Sequence, residues 1–187
     1  MLVEEIMKTD CITLPPNATI KEPLHLLQEH RIRHIPIVDD HYRVIGIVSD
    51  RDVRDASPSI LLKEPNEDDL LNEIHTIMSS PVLTVHPLDF VEEIAKVFYE
   101  NEIACLPVVQ HDRLVGIVTE KEMLYTLIQL TGTHVQSSLI EVKVPDIPGE
   151  LPKVTSIISK RNFNIVSVRI YPYKNDPNYK IIVLRIR

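Results

Sequence analysis

Apolar residues along this chain fall into two alternating patterns. Ile20, Leu24 and Leu27 recur at helical spacing, as do Val91, Ile94, Ala95 and Phe98, so each set predicts an amphipathic helix with those side chains inward. Thr19-x-x-Glu22 and Asp89-x-x-Glu92 precede them as capping boxes, and Pro23 is confined to the first turn. Each helix is followed by two short apolar runs, Ile-Pro-Ile-Val at 35–38 with 44–48, and Leu-Pro-Val-Val at 106–109 with 114–118. Turn residues Asp39-Asp40-His41 and Gln110-His111-Asp112 separate the runs, which predicts a β-hairpin in each case.

The two patterns are copies of one another. A shift of 71 positions superposes Ile6-Met7 on Ile77-Met78, Pro36 on Pro107 and Val38 on Val109. One residue is lost in the hairpin loop, and a shift of 70 then aligns Gly46-Ile-Val-Ser49-Asp-Arg-Asp52 with Gly116-Ile-Val-Thr119-Glu-Lys-Glu122. Two copies are too few for a solenoid, so the reading is two β-α-β-β-α modules packed as a pseudo-symmetric pair. Module one is placed at 1–63 and module two at 73–130, with an acidic stretch at 64–72, Glu64-Pro-Asn-Glu-Asp-Asp69 included, as a solvated linker leading into an exposed helix.

Beyond Leu130-Thr-Gly132-Thr, where 131–137 reads as a hinge, the pattern turns β-rich. Residues 139–144 alternate, Leu151, Val154, Ile157 and Ile158 mark one face of a helix near 150–161, and strands follow at 165–170 and 180–185 after the turn Asn175-Asp-Pro177. The C-terminal part, 138–187, is therefore β-α-β-β, and the fold class is mixed α+β / α/β.

Composition narrows the function. Four well-separated glycines exclude the usual glycine-rich phosphate loops. A net charge of −7 argues against a nucleic-acid surface, so an anionic ligand must meet a local basic site. Two cysteines make no disulfide framework, the N-terminus is acidic where a secretory signal is basic, and no apolar run approaches the roughly 20 residues of a membrane span. The expectation is a cytoplasmic protein that does not enter membranes. His30 and His34 have helical i, i+4 spacing, but Arg31-Ile-Arg33 between them repels a cation, so no metal is expected. No set of nucleophile, base and orienting partner is present, and no catalytic residue is assigned.

The duplicated Gly-Ile-Val-[Ser/Thr]-x-x-[Asp/Glu] segment carries the chemistry. A hydroxyl and a carboxylate at the junction of strand and helix can hold an anion at exposed N–H groups and a vicinal diol at the carboxylate. Arg51 and Lys121 occupy matching places where a cation meets a phosphate. The same spacing also satisfies a capping box needing no ligand, and the two readings are compatible.

With the Ile-Pro-Ile-Val and Leu-Pro-Val-Val strands before it, this motif resembles the paired cystathionine-β-synthase-type regulatory modules, the CBS domains. The resemblance covers 1 to about 128 and implies clefts that bind an adenosine derivative: AMP, ADP, ATP or S-adenosylmethionine. It makes Ser49 and Thr119 phosphate or ribose contacts, Asp52 the diol acceptor, and Arg51 and Lys121 phosphate contacts, with backbone near Cys11-Ile12 and Pro81-Val82 against the adenine. Ile35-Pro36 and Leu106-Pro107 would line the clefts. Glu122 stands where Asp is usual, and its extra methylene moves the carboxylate by roughly 1 Å or more, so the Asp52 site is expected to be the more competent. Arg33, opposite Ala104 in copy two, adds a basic group to the same site or is a surface arginine.

Asp146-Ile147-Pro-Gly149-Glu-Leu151 and Asn164-Ile165 resemble the start of an ACT domain, a ferredoxin-like βαββαβ module of amino-acid-responsive proteins, lacking here its last helix and strand. That resemblance implies an effector loop at Asp146, Ile147, Gly149 and Leu151, for which plain turn chemistry is ranked first. Either the chain is truncated or a partner completes the sheet. Two CBS modules followed by an ACT module resemble the bacterial acetoin-utilisation accessory proteins. The implied function is a non-enzymatic, adenine-nucleotide-sensing regulator, homodimeric, acting on a client enzyme; the alternative is a dimerisation scaffold that binds no ligand.

Overall fold

The computed structural model describes residues 1–57 and 70–187, so the acidic run at 64–69 lies outside the described residues. The chain forms two compact units, Met1–Met123 and Leu124–Arg187.

Both copies are built alike, the last helix of copy two running past the end of the first unit. In copy one, helix α1 (Lys21–Glu29) precedes strands β1 (His34–Val38) and β2 (Val44–Ser49), which run directly into α2 (Asp50–Ala56). In copy two, α3 (Val91–Asn101), β3 (Cys105–Gln110) and β4 (Arg113–Thr119) lead to α4 (Glu120–Thr131). Each hairpin is antiparallel, pairing Ile35 with Val48 and Leu106 with Val118. The leading strand of each copy shrinks to one parallel bridge, Leu14 to Ile37 and Val85 to Val108. Proline explains this. The Pro36 carbonyl accepts the Leu14 N–H (3.2 Å) and the Pro107 carbonyl that of Val85 (3.0 Å), so the side of the strand that lacks a proline N–H is the one facing the leading segment.

Caps and helix faces depart from expectation in three places. Glu22 accepts the Thr19 N–H at 2.9 Å, but α1 starts one residue later than a full box requires, behind Ile20. Asp89 makes no cap: its carboxylate turns back to the His86 N–H at 2.7 Å, and Phe90 stands at the N-cap. Ala95 is exposed, and Val97 packs on the core in its stead.

The packing of the modules crosses the chain order. Val3, fully buried with Ile6 and Met7 beside it, belongs to the core of copy two, with Ile94, Phe98, Leu106 and Val118. Ile74, also fully buried, belongs to the core of copy one, with Leu14, Leu27, Ile35 and Val48. Backbone bonds fix both segments: Lys8 exchanges two hydrogen bonds of 2.9 Å with Ile117, and Ser79 does the same with Ile47 at 2.9 and 3.1 Å. Boundaries at 1–63 and 73–130 follow the chain, whereas the first turn of each copy completes the other copy's core. The motif glycines make room for it. A Cβ on Gly116 would lie 2.7 Å from Met7 Sδ and 3.1 Å from the Lys8 carbonyl, and one on Gly46 would meet the Met78 side chain, with Cγ at 2.9 Å.

In the second unit, β5 (Ser138–Pro145), α5 (Glu150–Lys160), β6 (Ile165–Pro172) and β7 (Tyr179–Ile186) form an antiparallel sheet of order β5-β7-β6. Ile158 packs with Val144, Ile182, Leu184 and Ile186, and Leu151 and Val154 lie against them, whereas Ile157 is exposed. The segment expected as a hinge is anchored here. Gly132 sits at φ +68°, the Ser167 hydroxyl donates to the Thr131 carbonyl (2.8 Å), and Arg185 Nη1 donates to Ser137 Oγ (3.2 Å).

Two outcomes follow for urea denaturation. Ile74→Ala removes a fully enclosed side chain and should lower stability by about 2–5 kcal/mol, with loss of packing in copy one although residue 74 opens copy two; a loss under about 0.5 kcal/mol would contradict the crossed core. Gly116→Ala should cost about 1–3 kcal/mol and more than Gly46→Ala, because a backbone carbonyl moves less readily than a methionine side chain.

Candidate functional site

Ser49 closes β2 and caps α2. Its Oγ accepts the Asp52 N–H (3.2 Å) and donates to Asp52 Oδ2 (2.7 Å), which also accepts the Ser49 N–H (2.8 Å). The expected capping box is therefore present in full. It engages one carboxylate oxygen only. Among the described residues Oδ1 of Asp52 accepts no hydrogen bond, so that oxygen can take a diol proton while the cap stays intact.

Two arginines neighbour this carboxylate, Arg51 along the chain and Arg33 through its backbone. Arg51 and Arg33 are exposed and form no ion pair among the described residues; the Arg33 carbonyl accepts the Asp50 N–H at 2.9 Å, which fixes its backbone at the motif. His34 pairs with Ser49 across the hairpin. Burial depresses its pKa; Asp50 opposes that, Arg33 reinforces it, and Asp52 and Glu120 oppose it without reversing it. The ring thus feels the carboxylates of both motifs, Asp50 and Asp52 of copy one and Glu120 at the head of α4. By sequence His34 reads only as a failed metal ligand; it stands in β1, outside α1, so its spacing from His30 is not helical.

Copy two repeats the hydroxyl and carboxylate but not their freedom. Glu122 Oε2 accepts the Thr119 hydroxyl at very short range and the Thr119 N–H at 3.1 Å. Its Oε1 lies 3.0 Å from Lys8 Nζ, delivered by the crossed N-terminal segment. The Glu122 side chain is 11% exposed and that of Lys8 57%. Burial would raise the Glu122 pKa, but the hydrogen bonds from Thr119 and Lys8 and the Lys8 charge outweigh it, and the group is held below the ordinary glutamate range. Thr119 Oγ1 accepts the Lys121 N–H at 3.3 Å, and the Lys121 side chain is exposed. Lys8 escapes a sequence reading because nothing local marks it; its partner lies in the other copy.

The other expected residues divide. Cys11 donates to the Lys8 carbonyl (Sγ to O 3.5 Å), and burial, then Asp10, pushes its thiol up to about 11. Cys105 occupies in copy two the place of His34, opposite Thr119; burial raises its pKa further, with Cys11 and Glu122 nearby. Both are protonated at neutral pH and act as small apolar groups. Ile12 and Val82 are half-buried and Pro81 exposed. Ile35 and Leu106 correct the expectation of cleft lining: both are fully enclosed in the two cores, because alternation along the strand turns them inward, while Pro36 and Pro107, also buried, alternate to the opposite face. Among the described residues no group of three or more His, Cys, Asp or Glu side chains is placed to hold a metal.

In the second unit the loop Asp146–Leu151 links β5 to α5. Gly149 is the α5 N-cap at φ +89°, and a Cβ there would meet nothing within 4 Å. Asp146 pairs with Lys180 at 3.1 Å and donates its N–H to the Asn178 carbonyl (2.8 Å), and Lys180 Nζ reaches the Ile147 carbonyl at 3.4 Å. Ile147 is exposed, Leu151 packs on the core, and Glu150 is buried against Lys153. No described helix is long and apolar enough to cross a membrane.

Comparisons with known proteins agree with this construction. Residues 3–59 and 71–129 match the CBS domain and residues 138–183 the ACT domain. A CBS domain-containing protein of Dictyostelium discoideum is 33% identical over 135 residues, covering 70% of this chain and 93% of that protein. A homoserine O-acetyltransferase of Methanobrevibacter ruminantium is 32% identical over 65% of this chain, but the match spans only 23% of that enzyme. Among solved structures, one assigned to acetoin utilization (AcuB) from Vibrio cholerae is 32% identical, with TM-score 0.62 over 74% of this chain and 98% of that one. The CBS domain pair of protein MJ0100, solved with 5′-methylthioadenosine and S-adenosyl-L-methionine, is 30% identical, with TM-score 0.59 over 68% and 95%. The chain belongs to the CBS domain family, as a tandem CBS pair followed by an ACT domain.

Proposed function

We propose that this protein is a regulatory sensor of adenosine derivatives, with the cleft at Ser49 and Asp52 as its principal site and no catalytic chemistry of its own. The observation that carries the reading is the half-used carboxylate of Asp52, whose Oδ1 has no partner among the described residues while Ser49 holds Oδ2 at 2.7 Å. A diol needs such an acceptor, and Arg33 and Arg51, without ion-pair partners there, offer charge to a phosphate. MJ0100, 30% identical, was solved with two adenosine derivatives, which supports the ligand class. AMP, ADP, ATP and S-adenosylmethionine are the candidate ligands. Ligand binding biases the packing of the two modules as far as its affinities for their arrangements differ. The ACT domain, with an effector loop at Asp146–Gly149, then serves as the output or dimerisation module of a cytoplasmic homodimer that acts on a client enzyme. Similarity to AcuB makes acetoin utilisation the first physiological setting to examine.

Thermal-shift titration tests the reading. A ligand at a hundredfold excess over Kd stabilises by about 2.7 kcal/mol, so at least one of the four should raise the Tm by several degrees; no shift with any of them would favour a scaffold that binds no ligand. Asp52→Ala should weaken binding about tenfold or more and Glu122→Ala by less than about threefold, since hydrogen bonds to a charged group are worth about 1.5–3 kcal/mol. Equal losses would overturn the choice of site.

A further inference from the structure

Both oxygens of the copy-two carboxylate are occupied, and the second occupant comes from outside the repeat. Lys8 has no counterpart in copy one: the crossed segment there carries Ser79 at the same place, with the same two backbone bonds to the strand. The cation has been added to one side of a symmetric arrangement, and its ammonium takes the oxygen, Oε1, that corresponds to the unpartnered Oδ1 of Asp52. The added methylene of Glu122 is what lets one oxygen stay on Thr119 while the other reaches Lys8. Lys8 is anchored through its backbone to Ile117, two residues before Thr119, which places the start of its side chain beside the motif.

Building on the adenosine-sensing reading, we infer that Lys8 is a specificity-determining residue: it occupies the diol-accepting oxygen of the second cleft, so that one cleft binds ribose and the other is latched. Loss of Lys8 removes the cation from Glu122 Oε1, and the change of roughly 1 Å from the longer side chain is then taken up by rotation about its bonds. Lys8 is more than half exposed whereas Glu122 is nearly enclosed, so the 3.0 Å contact holds against salt and is removed by substituting Lys8.

The probe is adenosine itself, which carries the diol and no charge, titrated calorimetrically into the full chain. Wild type should bind one adenosine per chain and Asp52→Ala almost none. Asp52→Ala combined with Lys8→Met should regain a site, at least about fivefold tighter than Asp52→Ala alone, while Asp52→Ala combined with Lys8→Arg should not. Lys8→Met in the otherwise unmodified chain provides a check independent of the Asp52 substitution: a second equivalent should bind. Two equal sites in wild type, or no gain from Lys8→Met on the Asp52→Ala background together with no second equivalent in Lys8→Met alone, overturns the latch while leaving the sensor reading in place. No adenosine binding by any variant overturns the latch, and overturns the sensor reading as well if none of the four adenosine ligands shifts the Tm.

Discussion

The crossing of the two leading segments is the constraint on which the first unit rests. Each hairpin has a hydrophobic face that its own helices leave incomplete, and the missing piece, Val3 or Ile74, arrives from the segment that begins the other copy. Each core is completed by the other copy, which ties the modules together. The glycines of the repeated motif follow from that crossing. Gly46 and Gly116 lack side chains because Met78 and Met7 lie across the strand where a Cβ would be. In the sequence they read only as part of the repeated motif; the structure gives them a packing duty.

The same crossing sets the asymmetry of the clefts. The N-terminal segment lies against β4 for the sake of Val3, Ile6 and Met7, and so carries Lys8 to Glu122. At the equivalent place against β2 it is Ser79 that arrives, and the Asp52 carboxylate keeps an oxygen to spare. One substitution in a pair of duplicated segments thus separates two otherwise matching strand-to-helix junctions. His34 and Cys105 widen the difference, a polar ring on one side and a buried thiol on the other.

Much of this is legible in the sequence. The duplication, the hairpins, the helices and the capping box at Ser49 and Asp52 all follow from local pattern, because apolar period and cap spacing are properties of neighbouring residues. The order of packing is not legible. Val3 and Ile74 look like the first apolar residues of their own copies, and nothing in the local pattern says that they fold into the other. Lys8 stays hidden for the same reason. Asp89 misleads because a carboxylate three residues before a glutamate fits a box, yet its shorter bond goes back to His86. Resemblance places Ile35 and Leu106 at the clefts, whereas strand alternation turns them into the cores.

The most direct test of the central claim is amide hydrogen exchange with and without saturating AMP. An adenosine ligand seated on the spare oxygen of Asp52 should slow exchange at Ser49 and Asp52 and in the strand that precedes them, and leave Thr119 and Glu122 as they were. Unchanged exchange at Ser49 and Asp52, with protection confined to Thr119 and Glu122 or absent throughout, would contradict the account.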